Sequence, residues 1–327
     1  MIWIDINFAF VTFALALASL IGGENGSTTM APSHSAGILT PRKLTIISGL
    51  AIFLGALLLG KEVATTIGKK LTPPQILAQD KYTLVYYINA TFYLLLAVLF
   101  RVPIATTHMA TLSVVSIGLY TGTLNTQKFF HILRWWLFTP TAAFLCGFLF
   151  EKFLYFRVVN FASRFDAEII RKFLKIGVVA TGTYFAFSAG SNNLANSVGV
   201  VVVRTPDFES KVLTLGASFF GIGALMLSPR ILKAVGKKIV ELGLLRASFL
   251  QLMEGTIILS ASILGIPVSI NETIVGGMIG IACARDGFKK TFSKSYLLQI
   301  VFFWFVIPWI ALSTGLALCW IFNSFSK

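Results

Sequence analysis

The chain repeats itself at a spacing of 168 residues. Gly22-Gly23-Glu24-Asn25 stands opposite Gly190-Ser191-Asn192-Asn193, and Gly55-Ala56-Leu57-Leu58-Leu59 opposite Gly223-Ala224-Leu225-Met226-Leu227. Gly68-Lys69-Lys70 matches Gly236-Lys237-Lys238, and Trp136 with Pro140 matches Trp304 with Pro308. The pair Pro103 and Pro267 drifts to 164. A unit this long is no solenoid repeat. It also lies in a chain that is 56% hydrophobic and only 12% charged, far less charged than soluble domains. Duplicated apolar halves, each with a polar, helix-breaking segment, point to an integral membrane protein of the secondary-transporter class.

Long apolar runs end near Ile21 and then cover roughly 44–60, 83–100, 109–121 and 129–150. The second half repeats them near 173–189, 211–228, 248–266, 274–284 and 298–322. At about 20 residues per crossing, the chain should be all-α, with ten to twelve spanning or re-entrant segments. The first repeat is expected over 1–150, a cytoplasmic connector over 151–172 and the second repeat over 173–327. Five segments per half, an odd number, invert the second copy relative to the first. Met1-Ile2-Trp3-Ile4-Asp5 lacks the basic start of a signal peptide, so the first run is expected to be a retained span.

Charge tests the orientation. With both termini outside, the inside loops hold 18 of the 27 Lys and Arg residues, among them Arg42, Arg101, six between Lys152 and Lys175, five between Arg230 and Arg246, and four between Arg285 and Lys294. The positive-inside rule accepts this topology and rejects its mirror image. The net charge of +14 is thus mainly a cytoplasmic address, and no soluble module is long enough for a nucleic-acid role. Cys146, Cys283 and Cys319 sit in apolar runs, which implies free thiols rather than disulfides. No Cys/His cluster has metal-ligand spacing. The Asn-x-Ser/Thr triplets at Asn25, Asn89 and Asn271 fall within predicted membrane segments and are not read as glycosylation sites.

Four polar segments interrupt the apolar pattern: Gly22 to Thr29, Gly190 to Ser197, Pro103 to His108 and Pro267 to Glu272. Each joins a helix breaker to small hydroxyl or amide residues. Unwound backbone at membrane depth is tolerated only where protein or a water-filled cavity satisfies it. A helix starting there aims free N–H groups and a positive dipole end inward, which suits a small anion. One such segment alone would more often serve helix packing, with Ser or Thr bonded back to its own helix. Four in duplicate favour broken helices that converge on a binding site near the midplane.

These residues resemble the inorganic phosphate transporter (PiT) family, whose members carry a Gly-Ala-Asn-Asp-Val-Ala-Asn motif early in each repeat and Pro-x-Ser-Thr-Thr-His later. Gly190-Ser191-Asn192-Asn193-Leu194-Ala195-Asn196 and Pro103-Ile104-Ala105-Thr106-Thr107-His108 carry the likeness. It spans essentially the whole chain and implies an inverted-repeat symporter with both termini outside. Substrate-binding positions implied by the motifs are Asn25, Ser27, Thr28, Thr106, Thr107, Asn192, Asn193, Asn196, Ser269 and Asn271. Where the family has motif aspartates, this chain has Asn25 and Asn193. Glu24 replaces an Asn, and Glu272 takes the place of the second His. The pattern is similar to the family's sulfate permease branch, which also shows Ser-Ala-Gly-x-Asn-Asn-x-Ala-Asn, as Ser188 to Asn196 do here.

Physical chemistry points the same way. Phosphate near neutral pH keeps a proton that an aspartate can accept, whereas sulfate offers acceptors only. Two Asn side chains remove two negative charges and add NH₂ donors. A unit charge pair a few ångström apart is worth roughly 4 kcal/mol at an effective dielectric of 20, enough to choose between oxyanions. The ionisable membrane residues Glu24, Glu272, Glu254 and His108 become candidates for proton coupling, although Glu254 in mid-helix and His108 can equally serve structure. The expected activity is import of an inorganic oxyanion, sulfate with H⁺, across the cell membrane. Sodium- or proton-coupled phosphate transport is the alternative, with a passive anion channel behind both. No cofactor, metal or catalytic residue is expected, because no His-Glu-x-x-His or Gly-x-Ser-x-Gly motif is present. The expected partners are the anion and the lipid bilayer, with a homodimer left open.

Overall fold

The computed structural model describes residues 2–35, 38–100, 105–235, 243–293 and 295–324. Pro103, Ile104, Arg101, Gly236 to Lys238 and Lys294, all used above, lie outside them. The described residues form α1 (Ile2–Ser35), α2 (Pro41–Thr65), α3 (Pro74–Leu77), α4 (Asp80–Phe100), α5 (Thr106–Thr121), α6 (Thr126–Leu149) and α7 (Tyr155–Ala162). They continue as α8 (Ala167–Asn193), α9 (Ala195–Arg204), α10 (Glu209–Val235), α11 (Gly243–Ile263), α12 (Ile270–Asp286), α13 (Phe288–Phe292) and α14 (Ser295–Ser324). No strand occurs among them. Each of the ten apolar runs falls on one of these helices. Six helical stretches are long and apolar enough to cross a membrane: Ile6–His34, Pro41–Lys70, Ala167–Arg204, Pro206–Pro229, Gly243–Ile263 and Trp304–Ser324. The molecule is a helical membrane protein, and its polarity is distributed accordingly. Phe8, Phe138, Met226 and Trp309 are exposed, while Asn25, Asn193, Asn196, Gln251 and Glu254 are buried. Exposed apolar side chains suit a lipid surrounding, and neighbouring helices must satisfy the buried polar ones.

The packing is reciprocal. α1 lies on α10, and α8 lies on α2. A side chain at Gly22 would strike the backbone carbonyl of Phe220, and one at Gly190 that of Ile52. The same holds for Gly55 against Phe187 and Gly223 against Ser19. Each contact recurs with both partners moved by 168, so the paired glycines are needed for close backbone approach. α1 also runs antiparallel to α8 and α9. Asn25 meets Asn193, Ser33 Oγ donates to the Val178 carbonyl at 3.2 Å, and Arg204 Nε donates to Asn7 Oδ1 at 3.0 Å.

The two pairs of polar segments differ. Gly22 to Thr29 is not unwound: it lies inside the continuous α1. Gly190 to Ser197 is marked only by a turn at Leu194, whose φ of −52° and ψ of −39° remain helical. Both depart from the expected broken helix. The physical reason is that the small residues serve close helix approach. The hydroxyls of Ser27 and Thr29 also bond back to the carbonyls of Glu24 and Asn25, at 2.7 and 2.9 Å. The Pro segments do start helices. α5 begins at Thr106, and α12 begins after an extended Ser269 whose Oγ accepts the Glu272 N–H at 3.3 Å, a normal N-cap. These two helices rest on the last long helix of the opposite half, α5 on α14 and α12 on α6.

Candidate anion site

α1, α5 and the α8–α9 junction bring four of the predicted side chains into one chain of hydrogen bonds. Asn193 Nδ2 donates to Asn25 Oδ1 at 3.3 Å, and Thr107 Oγ1 donates to Asn193 Oδ1 at 3.2 Å. Asn196 Nδ2 then donates to Thr107 Oγ1 at 2.9 Å. All four residues are buried. The chain leaves Asn25 Nδ2 and Asn196 Oδ1 without a partner. Buried polar atoms are nearly always paired, so this amide donor is available to a ligand atom. The N-cap of α5, Ala105, gives no side-chain acceptor to the first-turn amides. Those N–H groups and the positive end of the helix favour an anion.

α12 supplies the other wall. Asn271 Nδ2 donates to Glu24 Oε1 at 2.9 Å, and Oε2 of Glu24 has no partner. His108 Nδ1 lies 3.2 Å from Glu272 Oε1. The approach is close but not aligned as a hydrogen bond, since that oxygen has no hydrogen-bond partner; His108 Nε2 has none either. It is a close contact between two ionisable groups rather than a formed bond. Both residues are buried.

The remaining predicted residues divide. Thr106 opens α5 and is buried, and Ser269 caps α12. Ser27 is bonded to its own helix, and Thr28 beside it is only partly buried. Asn192 faces the loop before α12: it donates to Ser262 Oγ at 3.1 Å and to the Ile266 carbonyl at 3.0 Å, and it accepts the Val268 N–H at 3.0 Å. It clamps that loop rather than joining the Asn25–Asn196 chain. Glu254 is fully buried on α11 with both oxygens unpartnered, beside Gly277 of α12. No hydrogen bond links it to the four-residue chain.

Sequence reasoning missed the supports. The His108 ring stacks on Trp136 with centroids 3.7 Å apart, and Trp136 Nε1 donates to the Pro267 carbonyl at 2.9 Å. One indole thus holds both Pro segments. Tyr86 and Tyr87 of α4 donate to the carbonyls of Asn196 and Ser197, at 2.8 and 2.9 Å, fixing the start of α9. The repeat had flagged Trp136. Nothing in the sequence separates the two tyrosines from lipid-facing aromatics.

The arrangement offers amide and hydroxyl donors, helix-end amides and a His–carboxyl contact. Among the described residues no group of His, Cys, Asp and Glu has the makings of a metal centre. Such a set of groups suits an oxyanion, and among the described residues it places no nucleophile against a base. Known proteins resemble the chain as a whole. The sulfate permease CysP of Bacillus subtilis is 28% identical over 97% of this chain and 88% of the relative. A putative phosphate permease of Pyrococcus horikoshii is 26% identical over 96% of each. The solved structure of a sodium-dependent phosphate transporter superposes with a TM-score of 0.84 over 98% of this chain and 99% of the other, at 23% identity, and so shares the fold. Residues 21–316 match the profile of the phosphate transporter family. The protein is an inorganic anion transporter, not an enzyme, and it belongs to the phosphate transporter family.

Proposed function

We propose that the chain is a symporter that imports sulfate together with protons. The observation that carries this reading is the direct Asn25–Asn193 contact with Asn25 Nδ2 left over as a donor. Two neutral amides stand where the family's motif has carboxylates, and a bare dianion needs donors rather than acceptors. The likeness to a sulfate permease supports the same choice. Most of the other similar proteins are named phosphate permeases, which keeps phosphate as the second reading, because helix-end amides serve both tetrahedral anions.

Coupling is assigned to Glu24 and Glu272. Each sits at the site with an unpartnered carboxyl oxygen. A carboxylate there opposes a dianion, so anion binding and proton binding favour one another. The two halves, 1–150 and 173–327 joined by 151–172, are read as inverted copies with both termini outside. The reciprocal glycine contacts and the antiparallel course of α1 against α8 and α9 support this. Uptake of labelled sulfate and labelled phosphate into proteoliposomes, side by side and with or without sodium, tests the proposal. Sulfate accumulation driven by an inward pH gradient alone is the expected result. Sodium-dependent phosphate accumulation would overturn it.

A further inference from the structure

The segment between the halves carries a groove that the anion site does not use. α7 and the first turns of α8 and α11 line an open groove of about 550 Å³, within the size range of small-molecule sites. Val158, Ala162, Phe165, Leu174 and Leu245 give it apolar walls, and Arg171 stands on its lining. α7 buries none of its own residues although it is rich in apolar side chains, and Phe156 and Phe161 beside the groove are exposed. A short helix of this kind, flanked by cations, lies in the interface plane of a membrane.

The charges show what the groove lacks. Its other cation, Arg246, is already satisfied: it makes two bonds to Glu151, at 2.7 and 2.6 Å, and covers the Tyr155 ring at 3.7 Å. Asp166 is used as the N-cap of α8, and Glu168 lies 3.8 Å from Lys172. Arg171 has no ion pair among the described residues, and Arg164 and Lys175 add like charge nearby in the chain. An apolar groove with an unpaired guanidinium on its lining is complementary to a molecule with a hydrocarbon tail and an anionic head.

We propose that this groove binds one anionic phospholipid, its acyl chain along Val158, Ala162 and Leu174 and its phosphate on Arg171. A guanidinium takes phosphate oxygens in pairs, and the surrounding cations disfavour a lipid whose head carries its own ammonium group. This proposal is independent of which anion is transported.

Native mass spectrometry of the full chain in detergent, titrated with dioleoyl phosphatidylglycerol or dioleoyl phosphatidylcholine, tests it. One phosphatidylglycerol should be retained at a concentration at least tenfold lower than phosphatidylcholine. Arg171→Gln, at an exposed position, should abolish that preference, and Ala162→Trp, which fills the groove, should remove the bound lipid altogether. Glycerol phosphate, the head without the chain, should not compete. Equal retention of the two lipids, an undiminished preference in Arg171→Gln, or full competition by glycerol phosphate would overturn the proposal. So would a native chain that retains no lipid.

Discussion

Asn25 and Asn193, 168 residues apart and equivalent in the repeat, touch each other side chain to side chain at 3.3 Å. His108 and Glu272, equivalent at the drifted spacing of 164, also meet, at 3.2 Å. On the proposed two-fold relation, only residues on its axis can meet their own counterparts. Both pairs therefore lie where the halves face one another, and both are made of residues the motifs had singled out.

Asn193→Asp places a carboxylate against Asn25 and removes the donor that now binds Asn25 Oδ1. On the proposed reading it weakens sulfate binding at least tenfold and phosphate binding much less, because phosphate can donate a proton to the new acceptor. Competition of each anion against labelled substrate measures this. Equal losses would show that the position does not select.

Glu272→Gln and Glu24→Gln mimic the protonated carboxyls permanently. Each is expected to keep anion exchange between equal pools but to lose accumulation against a gradient, since no proton then travels with the anion. Counterflow and pH-jump uptake in the same vesicles separate the two. Proton coupling through these groups fails if both variants still concentrate sulfate in response to a pH gradient.

Tyr86→Phe deletes one hydroxyl and leaves the ring. The Asn196 carbonyl, 2.8 Å away, loses its donor, which costs about 1 kcal/mol. Substrate affinity should fall several-fold while the detergent melting temperature drops only slightly. A variant with unchanged affinity would reduce Tyr86 to a packing residue.

Arg204→Ala removes a buried hub. Its guanidinium binds Asn7 Oδ1 at 3.0 Å, the Ala78 carbonyl at 2.6 Å and Thr83 Oγ1 at 3.1 Å, pairs with Asp80 Oδ1 at 2.5 Å, and covers the Phe10 ring at 4.5 Å. Asp80 is itself more than half exposed, so the ion pair adds little. The buried hydrogen bonds dominate, and the loss should be roughly 2 kcal/mol, read as a lowered melting temperature.

Gly190→Ala directs a methyl group at the backbone carbonyl of Ile52. Backbone cannot step aside as a side-chain tip can, so α8 and α2 must separate, at about 1–3 kcal/mol. Gly22→Ala should behave alike against Phe220. Loss of stability in both, with Gly122→Ala as a control that meets only open space but strains a left-handed φ of 68°, checks the reciprocity of the interface.

Much of this was legible in the chain itself. Apolar run length located every long helix, because a span needs about 20 residues whatever its partners. Paired motifs located Asn25, Thr107, Asn193 and Asn196, which the fold then gathers. Helix continuity through Gly22 to Thr29 was not legible. Glycine and hydroxyl residues break a helix in one setting and let two helices close up in another, and the choice belongs to the facing carbonyls of α10. Asn192 was misplaced for a related reason. Two adjacent asparagines on a helix point in directions about 100° apart, so only one of Asn192 and Asn193 could face Asn25. Trp136, Tyr86 and Tyr87 act on atoms more than 100 residues away in sequence, contacts that no local pattern encodes.

The exchange of terminal helices bears on how the molecule is made. α5, which opens at Thr106 in one of the Pro segments, packs most extensively on α14, which ends at Ser324. Synthesis runs from the N-terminus, and early segments normally fold as they emerge. Here α5, one wall of the candidate site, has α4 and α9 beside it early but lacks its α14 neighbour until the last span has left the ribosome and entered the bilayer. A nascent chain stopped before residue 295 should hold α5 in a provisional berth, exposed to proteases and to whatever insertase attends it. The first half is therefore not a spare transporter waiting for a copy of itself, and truncation at the C-terminus would be felt some two hundred residues earlier in the chain, at α5 around Thr107.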